Sequence, residues 1–145
     1  MVPRKAMGEV FADATFYGPA GQETLRLLVD TGSTYTWIPA AVAKRLGIVA
    51  RAVMPFDLGR RPYVRRRIGE AMVEILERRA TRIVVFAGAG EEPVIGHETL
   101  QGLLLHVDVD RHRLVPGMKV RAPGRRTSGV WPKSKRGGAS ESRVS

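Results

Sequence analysis

Three apolar residues running straight into a turn, Leu27-Leu28-Val29-Asp30-Thr31-Gly32-Ser33, constrain this chain more than any other stretch. The apolar run reads as the end of a strand that needs covering, and the four turn-forming residues stop it at once. An acid placed directly after a buried strand is delivered to a fixed position. Gly32 has no side chain, so a second backbone or a ligand can come close. The hydroxyls of Thr31 and Ser33 can donate hydrogen bonds to nearby carboxylate oxygens and so tune the acidity of Asp30. The plain alternative is an ordinary turn, because all four residue types favour one.

The rest of the chain reads as short strands separated by breakers. Residues 8–16 alternate in part with period two, Gly18-Pro19-Ala20-Gly21 signals a turn, and 24–29 return as the second strand of a hairpin ending at Asp30. Residues 35–38 read as strand. The segment 40–46, stopped by Gly47, is a short helix with glycine at its end. Residues 52–58 and 63–75 are two strands joined by Gly59-Arg60-Arg61-Pro62. The β-branched run at 81–87 suits a strand covered on both faces. A second short helix is expected over 97–105, with Leu100, Leu103 and Leu104 at helical spacing, and a hairpin from 107–109 to 113–115 closes the domain. The expected class is mainly β with one or two short helices.

With 145 residues, 43% of them hydrophobic, the chain is large enough for one domain with a real core. It contains no cysteine, which excludes disulfides and thiolate metal sites. No segment reaches the roughly 20 apolar residues needed to span a bilayer. Residues 1–16 are interrupted by Arg4, Lys5, Glu9 and Asp13, so they lack the apolar core of a secretory signal, and a soluble cytoplasmic protein is expected. The net charge of +10 is uneven: residues 117–145 carry eight basic residues against Glu141 alone, leaving only +3 for the rest. That stretch is also rich in Gly, Pro and Ser, which bury too little apolar surface to offset the entropy of ordering. The division expected is a domain over 1–116 and a basic, disordered tail over 117–145.

The turn at Asp30, followed by Tyr35-Thr36-Trp37-Ile38-Pro39, resembles the active-site loop of aspartic proteases. With a single Asp-Thr-Gly triplet, the similarity is to the retropepsin-like, single-domain group and its bacterial members. A second marker of that group, two apolar residues and a glycine before a short helix, is matched by Val94-Ile95-Gly96 and His97-Glu98-Thr99-Leu100, with Gly96 lying 66 residues after Asp30. The stretch from Leu103 to Asp108 and Arg113 to Pro116 also looks like the bacterial members. The resemblance spans about residues 8–116, and its specific parts are the two short motifs.

The resemblance implies a closed-sheet acid-protease domain working as a homodimer, because one carboxylate cannot act as acid and base together. Two copies of Asp30 would share one proton, as in the aspartic proteases that exemplify this effect. Thr31, Gly32 and Ser33 would shape the loop, the substrate would be a peptide or protein, and no metal or organic cofactor is needed. A closing hairpin, the flap, is implied between the markers. Its candidate tip is Gly59-Arg60-Arg61, flanked by Phe56 and Tyr63, and it departs from the glycine-rich retroviral pattern. His97 stands where retroviral enzymes usually have a dimer-bracing arginine, so any bracing here differs. Val29, Ile38, Val53, Val94 and Ile95, with Gly96, are the expected apolar pocket, while Trp37, Phe11 and Leu100 read as core.

Rival readings use the same residues. A dimer of this kind can bind peptides without cutting them, since fold does not guarantee activity. His106, Asp108, Asp110 and His112 would share one face of an extended strand and offer metal ligands, but Asp110-Arg111-His112 reads as a turn that breaks the alignment. The basic tail is a solvated appendage, an accident of where the reading frame ends, or a weak contact for nucleic acid or another polyanion. Trp131 is its only aromatic residue, so base stacking is not advertised.

Overall fold

The computed structural model describes residues 9–59, 63–117 and 124; Arg60, Arg61 and Pro62 at the expected flap tip, and the 117–145 segment apart from Gly117 and Gly124, lie outside the described residues. The elements run in the order β1 (Phe11–Gly18), β2 (Gly21–Val29), β3 (Thr36–Pro39), α1 (Ala40–Leu46), β4 (Ala52–Phe56), β5 (Val64–Ile75), β6 (Arg78–Ala87), β7 (Val94–Ile95), α2 (His97–Gly102), β8 (Leu105–Asp108) and β9 (Arg113–Pro116). The protein is mainly β. Among the described residues no helix is long and apolar enough to cross a membrane.

Seven strands form one mixed sheet in the order β1-β2-β7-β3-β6-β5-β4, and β1 also pairs with β5. That extra pairing closes six strands into a ring, with β4 attached outside it. Inside the ring sits the main core, where Phe16, Ile38, Val73, Val84 and Ile95 are fully buried. Alternation in β5 sends Ala71, Val73 and Ile75 inward and leaves Glu70 and Met72 exposed. The end of β6 is covered on both faces. Val84 and Phe86 join the main core, whereas Val85 and Ala87 join a smaller cluster with Leu28, Trp37 and Val94. Helix α1 ends at Gly47, whose φ of 74° lets Gly47 and Ile48 donate back to the carbonyls of Lys44 and Ala43.

The ring closure carries a polar brace. Tyr17 of β1 donates to Oε1 of Glu74 in β5 at 2.6 Å, and Arg79 donates to the same oxygen at 3.0 Å while stacking 4.7 Å from the Tyr17 ring centre. These donors, Tyr17 first and Arg79 second, hold the Glu74 carboxyl below its ordinary range. A carboxyl that is more acidic when folded stabilises fully above its ordinary pKa of 4.5, and the benefit is lost as pH falls from there through the lowered value. Glu74→Gln is therefore expected to flatten the acid limb of the stability curve. Urea midpoints of the two proteins from about pH 6 to about pH 3 check this.

Several element boundaries differ from the sequence reading, and two of the differences have a clear local cause. Strand β6 begins at Arg78, ahead of its apolar run, because Leu76 and Glu77 form a two-residue hairpin turn with φ of 51° and 66°. Positive φ at both positions is the geometry that Asn-Gly adopts readily, so Leu-Glu gave no turn signal. Replacing Leu76-Glu77 with Asn-Gly is expected to stabilise the protein by about 1 kcal/mol, measured by denaturant titration, since Leu76 is half exposed and little burial is lost. Helix α2 stops at Gly102 instead of reaching Leu105. A left-handed residue at Leu104 turns the chain, and Arg78 donates to the carbonyls of Leu103 and Leu104, so Leu105 starts β8.

Candidate active site

Strand β7 threads between β2 and β3. It runs parallel to β2, with Leu28 opposite Val94 and Val29 opposite Ile95, and antiparallel to β3, with Trp37 opposite Val94. The ladder with β2 continues one step into the turn, where the Asp30 amide donates to the Ile95 carbonyl at 2.9 Å. The acid is thus fixed by two strands distant in sequence.

The loop from Asp30 to Tyr35 is held by its own and neighbouring backbone groups. Gly32 N–H donates to Asp30 Oδ1 at 3.0 Å and Ser33 N–H to the Asp30 carbonyl at 3.0 Å, a side-chain-assisted turn. From α2, the amides of His97 and Glu98 donate to the carbonyls of Ser33 (2.7 Å) and Thr34 (2.8 Å), which satisfies donors that a helix start otherwise leaves unpaired. Beneath the loop, Thr36 and Thr99 share a 2.6 Å hydroxyl hydrogen bond in full burial, and Gly96 N–H donates to Thr36 Oγ1 at 3.0 Å. Gly96 is required by close approach: a Cβ there would lie 2.2 Å from the Tyr35 carbonyl oxygen.

Asp30 is half buried, and Thr31 and Gly32 are exposed at the crown of the loop. The Ser33 hydroxyl donates to the Tyr35 carbonyl at 2.8 Å, so in this structure it braces the loop. From Asp30 a cleft of about 630 Å³ opens, with Tyr35, Trp37, Phe56, Leu58, Glu91 and Val94 among its walls. Phe56, at the end of β4, stands edge-on to Trp37 with ring centres 5.0 Å apart and to Tyr35 at 6.4 Å. The β4–β5 hairpin therefore covers one side of the cleft. Near its tip, Gly59 is exposed at a φ of 86° and donates its N–H to Asp57 Oδ1 at 2.8 Å.

Of the expected pocket residues, Val94 lines this cleft. Ile38 and Ile95 are fully buried in the ring interior, Val29 packs partly buried against that same core, Gly96 lies beneath Tyr35, and Val53 is about half exposed on β4. The pleat decides the difference. Trp37 and Val94 face one way and their sequence neighbours Ile38 and Ile95 the other, so the wall is aromatic where aliphatic residues were expected. Period-two alternation applied to 37–38 and 94–95 together was the available signal. At the other end of the chain, Asp108 accepts from the amide and guanidinium of Arg111 across the β8–β9 turn, and His106 and His112 are exposed.

A sequence profile of the family described as aspartyl protease matches residues 12–104, more than half of the chain. The matched span runs from within β1 through α2, including the loop at Asp30 and the strand that locks it. No curated protein matches the chain in sequence.

Proposed function

The chain belongs to the aspartyl protease family, and on that premise we propose that it is an endopeptidase of the retropepsin-like kind, active as a homodimer that brings two copies of Asp30 together. The observation that carries this reading is the placement of Asp30. It sits at the edge of a peptide-sized cleft, with one carboxylate oxygen held by Gly32 N–H and its backbone locked to Ile95. Each chain supplies one such acid, and the exposed crown at Thr31 and Gly32 is the surface across which a second copy would bring the other.

In the proposed reaction, one Asp30 is ionised and takes a proton from a water held between the pair. The water oxygen attacks the scissile carbonyl carbon, while the protonated Asp30 of the second copy donates to the carbonyl oxygen. Collapse of the tetrahedral species expels the amine, which leaves with a proton from the pair. Because the two acids titrate together, a pH–rate profile reports the dyad as a unit. The cleft's aromatic walls favour substrates with apolar side chains.

The test combines solution mass with a peptide-library digest run at mildly acidic pH. A dimer whose specific activity falls on dilution supports the reading. A monomer that cleaves with undiminished specific activity on dilution, or a dimer that binds peptides and leaves every one intact, sinks it.

A further inference from the structure

The outer part of the β4–β5 hairpin leaves the ring. Strand β5 pairs with β6 from Ile75 back to Ile68 and no further, whereas it pairs with β4 from Ile68 out to Val64. Beyond Ile68, therefore, the hairpin overhangs the cleft without a ladder joining it to β6. Arg66, opposite Met54 in this overhang, reaches back to Glu91 in the turn between β6 and β7. Its Nε donates to Glu91 Oε1 at 2.9 Å and its Nη2 forms an ion pair with Oε2, a two-pronged contact. Glu91 Oε1 also accepts the Gly88 amide at 2.6 Å, which ties the carboxylate to its own turn. Glu91 lines the cleft directly, and Pro55 and Phe56 line it from β4, the strand paired with Arg66.

The geometry points to Arg66 and Glu91 as positioning residues for substrate. Together they tether the overhanging hairpin to the opposite wall and set the width of the cleft above Asp30. This rests on the peptidase reading for its kinetic consequences. Its side chains are only 27% and 15% exposed, so the contact escapes much of the solvent screening that weakens surface pairs. Arg67, one residue on, lies 5.4 Å from the centre of the Phe86 ring on the other face, and Phe56 rests on Trp37. Those contacts hold the hairpin down at its root and its end, and the ion pair holds its side.

Glu91→Gln keeps the shape and the acceptor for Gly88 while removing the charge; Arg66→Lys keeps the charge and removes the fork. Glu91→Gln is expected to raise KM for a cleaved peptide about 10-fold with kcat within about twofold and the pH profile unmoved, and Arg66→Lys to give a smaller rise in the same direction. Hydrogen exchange supplies a readout independent of catalysis. Amides of Val53, Met54, Phe56 and Asp57 and of 64–67 are expected to exchange about 10-fold faster in Glu91→Gln, with those of β1 unchanged. A lowered melting temperature with unaltered KM and unaltered exchange in the hairpin would overturn the tether. If parent and variants cleave nothing, the peptidase reading falls, and the exchange comparison still decides whether the tether exists.

Discussion

Asp30→Asn is expected to lower kcat/KM for any cleaved peptide by about 10⁴-fold, because on the proposed mechanism both copies lose the group that takes and gives the proton. The fold should survive the change. The side chain's recorded structural duty is to accept the Gly32 amide through Oδ1, and an asparagine carbonyl accepts the same bond. Stability is thus expected to stay within about 0.5 kcal/mol of the parent, and the proposed dimer should persist. The decisive pair of measurements is progress curves on a library-selected peptide and a denaturant titration. Activity that outlives the substitution removes the dyad from the mechanism; activity lost together with the fold shows that Asp30 is structural.

Gly96→Ala is expected to act in the opposite way, damaging the scaffold and, through it, the acid. The added Cβ would meet the Tyr35 carbonyl oxygen at 2.2 Å and the Ser33 carbonyl oxygen at 2.9 Å, and both are backbone atoms with little room to yield. Relief requires moving the loop that carries Asp30, or α2, whose amides hold that loop from the other side. A cost of about 3 kcal/mol follows from overpacking of this kind. For a chain of this size it appears as a fall in melting temperature of about 10 °C. Any folded fraction should also cleave more slowly, because His97 and Glu98 would no longer reach the carbonyls of Ser33 and Thr34. A variant as stable as the parent would show that β7 and the loop are less tightly apposed than the structure has them.

Much of this architecture was legible in the residues. The breaker at Gly59-Arg60-Arg61-Pro62 set off β5, the β-branched run at 81–87 marked β6, and Gly47 marked the end of α1 to the residue. The turn at Asp30 could be read because its residue types favour only a few conformations. What escaped had physical reasons. Leu76 and Glu77 occupy positive φ without the residues that announce it, and the helix at 97–102 is shortened by a tertiary contact from Arg78. The threading of β7 between β2 and β3 joins residues 57 to 66 positions apart, and no local pattern encodes that pairing. Ile38 was expected in the pocket and Trp37 in the core, yet Trp37 lines the cleft and Ile38 fills the ring interior, because alternation separates two neighbours but does not say which side opens on a cleft.

The stitching of the Asp30 loop runs through amides and carbonyls, and this has a bearing on how such a centre can change over time. Ser33 and Thr34 offer α2 their main-chain oxygens, and His97 and Glu98 meet them with their main-chain nitrogens. The side chains of Thr34 and His97 are left exposed, Thr34 on the cleft that opens from Asp30. Those two positions can drift in size and charge, acquiring new selectivity or new contacts with a neighbour, while the acid stays where the chain trace puts it.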